Sequence, residues 1–147
     1  MSAVRESIVI GAPIARVWST VMDPARLGDW VTTHESVGAD GEGPVGEGDR
    51  FRQRLRLAGR SFEVEWRVTE ARAPRLARWH GEGPRGSSAE VGYRLEEVDG
   101  ATRFDYENSF AGPGGWLGRL AGAALGAAPA RREARRSLAN LKQLLER

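Results

Sequence analysis

The chain has no cysteine among its 147 residues. That removes disulfides, thiolate-held metal and a cysteine nucleophile from consideration. Histidine is almost as scarce, and His34 and His80 stand in no His-x-x-x-His spacing, so neither a zinc site nor any other cofactor is expected. No run of 18 apolar residues occurs, so no transmembrane segment is expected. The opening Met1-Ser-Ala-Val-Arg-Glu6 has neither the basic region nor the apolar block of a signal peptide, and a cytoplasmic protein is the expectation. There is no Gly-x-Ser-x-Gly elbow for a serine nucleophile. The glycine-rich stretches lack the Gly-Lys-Ser/Thr ending of a phosphate loop. Lysine is nearly missing too: Lys142 is the only one, and the net charge of +2 rests on arginine. Those arginines alternate with glutamates through the middle of the chain rather than gathering on one face, so no nucleic-acid partner is expected.

Apolar residues make up 40% and charged residues 29%, which suits one folded domain over residues 1–147 with a real core. Ser7 to Trp30 is the most informative stretch. Ile8-Val9-Ile10 reads as a short β-branched strand, and Pro13 opens a helix, where its missing N–H costs nothing. Ile14, Val17, Trp18 and Val21 recur at i, i+3, i+4 and i+7 and make one apolar face. Asp23-Pro24 stops that helix and caps a second short one ending near Trp30. The glycine-rich Val37 to Gly48 suits only turns or a long hairpin loop.

A hairpin follows. Phe51, Gln53, Leu55 and Leu57 share one face of a strand, and Phe62, Val64, Trp66 and Val68 share the same face of the next. A turn at Ala58-Gly59-Arg60 sets Arg54 opposite Glu63 and Arg52 opposite Glu65, on the solvated face. Three more strands alternate in the same way: Arg75 to His80, then Ala89, Val91, Tyr93 and Leu95, then Phe104, Tyr106, Asn108 and Phe110 after the Asp99-Gly100 turn. Gly112-Pro-Gly-Gly115 ends the sheet and a long helix closes the chain. Its stripe runs Leu117, Leu120, Ala124, Ala128, Ala134, Leu138, Leu141 and Leu145, with a kink expected at Pro129, which crowds the carbonyl of Leu125. Ala121 to Ala128 is almost wholly small residues, which leaves either room beneath the helix or close backbone packing.

A strand, two small helices, six further strands and a long C-terminal helix resemble the START-like helix-grip superfamily, the Bet v 1-like and polyketide cyclase/dehydrase (SRPBCC) group. The resemblance implies an α+β fold, in which a seven-stranded curved antiparallel sheet wraps around the C-terminal helix. It also implies a pocket between the two, with the glycine-rich loop joining strands two and three beside its mouth. Inward strand positions place Phe51, Gln53, Trp66, Tyr93, Tyr106 and Asn108 as ligand-binding candidates, with Trp30 and Trp79 near the ends and Trp116, Leu117 and Leu120 on the helix. Polar Gln53, Tyr106 and Asn108 among aromatics suit a site that holds and orients an apolar ligand.

The expected function is therefore the binding of a small hydrophobic or aromatic molecule, a lipid or polyketide-like metabolite. The alternative is a cyclase, aromatase or dehydratase working in the same cavity. For that alternative, Tyr106, Asn108 and His80 are the candidate catalytic groups, with Gln53 as a further hydrogen-bonding group. Arg131, Arg132, Arg135 and Arg136 lie beside the C-terminal leucines. A basic amphipathic helix of that kind packs its leucines and solvates its arginines more often than it lies on a membrane, so peripheral membrane contact is not expected. A monomer or a homodimer is compatible with all of this.

Overall fold

A computed structural model describes residues 2–57, 59–111 and 127–147. The first strand, β1 (Ser2–Ile10), leads into helix α1 (Ile14–Val21) and a 3-10 helix (Pro24–Asp29). Strands β2 (His34–Ala39), β3 (Arg50–Leu57), β4 (Arg60–Arg72), β5 (Leu76–Glu82), β6 (Ser88–Val98) and β7 (Ala101–Ala111) follow. Helix α2 (Ala127–Leu145) closes the chain. The seven strands form one antiparallel sheet in the order β1-β7-β6-β5-β4-β3-β2. Only β1 reaches across the chain to pair; every other neighbour is joined by a hairpin or short loop. No described helix is long and apolar enough to cross a membrane.

The local signals act where the sequence puts them. Asp23 Oδ1 accepts from the Ala25 N–H at 3.0 Å, so the aspartate caps the 3-10 helix that Pro24 opens. Pro13 stands one place earlier than expected: it is the extended N-cap residue of α1, and its carbonyl accepts from the Val17 N–H at 3.1 Å. Val17, Trp18 and Val21 are buried on the inner face of α1.

The β3–β4 register follows the expected pairing, with Arg54 opposite Glu63 and Arg52 opposite Glu65. The Arg54 guanidinium nevertheless turns to Glu35 on β2, at 3.3 Å. Strand β2 also takes up Val37, Gly38 and Ala39, so the glycine-rich loop begins later than its composition suggests. The loop packs at the end of α1, where the Val45 N–H donates to the Met22 carbonyl at 2.8 Å.

Alternation divides the sheet into a polar convex face and an apolar concave face. The concave side carries a chain of aromatic contacts. Phe51 and Trp79 meet edge to face at 5.1 Å between ring centroids, Trp79 and Tyr93 at 5.2 Å, and Tyr93 and Phe104 at 5.1 Å. Edge-to-face pairs add about 0.5–1.5 kcal/mol each beyond the area they bury. Gly81 makes the room for this cluster: a Cβ there would lie 2.6 Å from Val64 Cγ1 and from Trp66 Cε3.

Helix α2 lies against this face with Leu138, Leu141 and Leu145 all but fully buried. Its flanks are tied down by polar contacts. On one side Arg135 Nε donates to Glu6 Oε1 at 2.9 Å, with Arg131 Nε 4.0 Å from the same oxygen. On the other, Thr32 Oγ1 donates to the Glu133 carboxylate, and the Thr32 N–H donates to Ser137 Oγ at 3.1 Å. At its end Lys142 Nζ donates to the Val9 carbonyl, and Glu146 accepts from the Gly11 N–H. Two of the four clustered arginines therefore serve as anchors toward β1. The expected kink at Pro129 and the small-residue stretch of residues 121–126 lie outside the described side chains or residues.

Candidate functional site

Between the concave face and α2 lies a cavity of about 100 Å³. Its floor is built from alternate residues of five strands. Gln53, Leu55 and Leu57 come from β3, Phe62, Val64 and Trp66 from β4, and Trp79 from β5, while Ala89, Val91 and Tyr93 of β6 and Tyr106 and Asn108 of β7 complete it. The roof is Ala130, Glu133, Ala134, Ser137 and Leu138 of α2. Val4, Leu27, Trp30, Val31 and Thr33 close the side. Among the described lining residues, Glu133 is the only Asp, Glu, Lys, Arg or His.

Seven of the residues singled out in the sequence meet in this lining: Trp30, Gln53, Trp66, Trp79, Tyr93, Tyr106 and Asn108. Phe51 stands one layer back, its ring edge-on to Trp79. Trp116, Leu117 and Leu120 lie outside the described residues. His80 is a correction. It follows inward Trp79 on a strand, so it must point the other way. On the convex face its Nδ1 pairs with Glu90, and Glu82 lies 3.6 Å from Nε2. The glycine-rich loop joins β2 and β3 as expected, and none of residues 40–49 is in the described lining.

Sequence reasoning missed the α2 residues Glu133 and Ser137, although their one-turn spacing on the buried stripe was a usable signal. It also missed the partner of Gln53. Trp66 Nε1 donates to Gln53 Oε1 at 2.9 Å, which fixes the amide with its nitrogen toward His34 Nδ1, 3.0 Å away. An indole N–H can only donate, so Oε1 must be the acceptor and Nε2 the donor. His34 Nδ1 then accepts, and its proton sits on Nε2. Burial lowers the His34 pKa in the same direction, toward the neutral ring.

At β7 a second pair forms. Asn108 Nδ2 donates to Tyr106 Oη at 2.8 Å, while Asn108 Oδ1 is buried with no partner. The indole N–H groups of Trp30 and Trp79 are likewise buried without an oxygen or nitrogen partner, inside the edge-to-face aromatic cluster. Burial raises the pKa of Tyr106, against the opposing effect of the Asn108 bond, and raises that of Tyr93 further. Both phenols are therefore neutral hydrogen-bonding groups at physiological pH rather than bases.

The fold recurs widely. A protein of Chromobacterium violaceum superposes with a TM-score of 0.73 at 17% identity, over 99% of this chain and 97% of that one. The Aha1 dimer of Colwellia psychrerythraea gives 0.68 at 18% identity over 99% and 97%. DynU16, from the dynemicin biosynthetic locus, gives 0.69 at 21% identity over 99% of this chain but 48% of its own. No curated protein matches the sequence. Residues 1–146 match the family described as polyketide cyclase / dehydrase and lipid transport, and the chain belongs to that family.

Proposed function

We propose that this chain acts as a single helix-grip domain that holds a small hydrophobic or aromatic molecule between the sheet and α2. The observation that carries the reading is the cavity itself, walled by Trp30, Trp66, Trp79 and Tyr93 with Tyr106 and Asn108 as polar groups. Apolar walls with a few placed polar groups are the usual make-up of a small-molecule site. Family membership and the origin of DynU16 in a biosynthetic locus support the same reading. Size bounds the guest. An engineered cavity of about 150 Å³ holds benzene, so a cavity of about 100 Å³ admits one small ring at most, and only if its walls give way. A lipid or polyketide chain needs a larger space than this.

Native mass spectrometry of the freshly purified chain, followed by denaturing extraction, tests this directly. A co-purifying apolar compound, or a rise in melting temperature with small aromatic compounds, is the expected result. A clean mass and an unmoved melting temperature across such a panel overturn the reading, because a ligand that binds only the folded state must stabilise it.

A further inference from the structure

We infer that His34 is a proton switch for this cavity: once charged, it takes Gln53 away from Trp66 and weakens the hold on an apolar guest. The first half stands on the hydrogen-bond chain alone, and the second rests on the ligand-binding reading above.

Three side chains form the chain, one each from β2, β3 and β4. Trp66 Nε1 donates to Gln53 Oε1 at 2.9 Å, and Gln53 Nε2 lies 3.0 Å from His34 Nδ1. Gln53 and Trp66 are buried and line the cavity, while His34 is half-buried on the outermost strand of the sheet. Solvent protons therefore reach the chain at His34. A charged imidazole carries N–H on both nitrogens, so Nδ1 turns from acceptor into donor. The amide then has one oxygen and two donors that need it. A bond from a charged donor is about twice as strong as one between neutral groups, so Oε1 turns to His34. Trp66 Nε1 is left facing the amide N–H groups, with no acceptor. The backbone of Gly28 packs on the opposite edge of the ring, where a Cβ would lie 3.3 Å from His34 Cδ2.

The charged groups around His34 are held elsewhere. On the 3-10 helix Arg26 and Asp29 bond each other at 2.7 Å. Next along β2, Glu35 takes Arg54 and Ser61, and Arg54 and Arg56 of β3 point to the convex face. On α2, Glu133 accepts from Thr32 and lies 3.8 Å from Arg136. Burial lowers the His34 pKa below 6.5, so neutral pH leaves the chain intact and acid breaks it. An apolar guest shuts out the water that would serve the orphaned indole, and so prefers the neutral form.

The test is an NMR titration of the whole chain from pH 8 to 5, alone and with toluene, which has no group of its own to titrate. The Trp66 indole N–H, assigned through Trp66→Phe, is expected to move upfield with the same midpoint as the His34 ring. In His34→Gln it is expected to stay put, and in His80→Gln to move as in wild type. Toluene is expected to bind about three-fold or more weaker to the charged form. By reciprocity it then lowers the His34 midpoint by about 0.5 in pH or more. An indole resonance that does not follow the His34 ring overturns the switch in the wild-type protein alone, whatever the variants do. Toluene bound equally at both ends of the range overturns the link to the guest. No toluene binding at any pH counts against the ligand-binding reading and overturns the guest half, while the indole resonance still decides the switch.

Discussion

His34 and His80 differ by which way each side chain leaves its strand, and their environments push them in opposite directions. Burial lowers His34 below the ordinary 6.5, and its Nδ1 is already an acceptor for Gln53. The folded state therefore binds its proton less well than the unfolded chain, and stability is lost as pH falls from above 6.5 through the folded value. At His80 the hydrogen bond to Glu90 raises the pKa, partial burial opposes it, and Glu82 adds to the rise. Its contribution is fully present below 6.5 and is lost as pH rises through the raised value. Melting curves from pH 5 to 8.5 should therefore show His80→Gln losing stability against wild type at the acid end and matching it at the alkaline end. His34→Gln should show the reverse trend. Identical pH profiles for both variants would sink this assignment. Gly81→Ala is expected to cost about 1–3 kcal/mol by denaturant melts, as overpacked cores do, because its Cβ would overlap Val64 and Trp66. At this scale the period of two was enough to find Gln53, Trp66, Tyr106 and Asn108. Read consistently, it also sends His80 outward, since Trp79 points inward. The Gln53–His34 contact was not legible, because a register shift between His34 and Ser36 on β2 breaks the simple alternation.

The elements were legible to different depths. The β3–β4 hairpin could be registered to the residue because two facing apolar sets and a short turn leave one solution. The glycine-rich loop could not be placed, since glycine indicates freedom of the backbone without indicating its neighbours. Nor could the docking of α2, because Glu6 with Arg135 and Thr32 with Glu133 are each about a hundred residues or more apart in the chain. Arg135 is two-thirds exposed while Glu6 is largely covered, so this is a half-screened pair. Arg135→Ala should lower stability by about 0.2–1 kcal/mol, the range of exposed pairs, and the difference should shrink in 0.5 M salt. A loss that is the same at both salt concentrations would assign the role of Arg135 to the packing of its stem instead.

For the whole molecule, the fold could be read from element order, since strand, two short helices, six strands and a helix leave few ways to bury one face of a curved sheet. The guest could not, because no pattern in the sequence says which polar groups of the lining satisfy one another across distant strands. One consequence of the tied helix concerns time rather than affinity. A small apolar guest gains nothing from the surface charges of this chain, and the roof of its cavity is held by Glu6–Arg135 and Thr32–Glu133. If those ties must part before a molecule passes, raising salt from 0.05 to 0.5 M should quicken entry and escape together and leave their ratio nearly fixed. Stopped-flow tryptophan fluorescence with a small aromatic compound found to bind would follow both rates. Rates indifferent to salt would mean that the Glu6–Arg135 flank stays shut and that guests pass elsewhere. On this view the arginines of α2 set how long a guest stays, and the aromatic wall sets how tightly it is held.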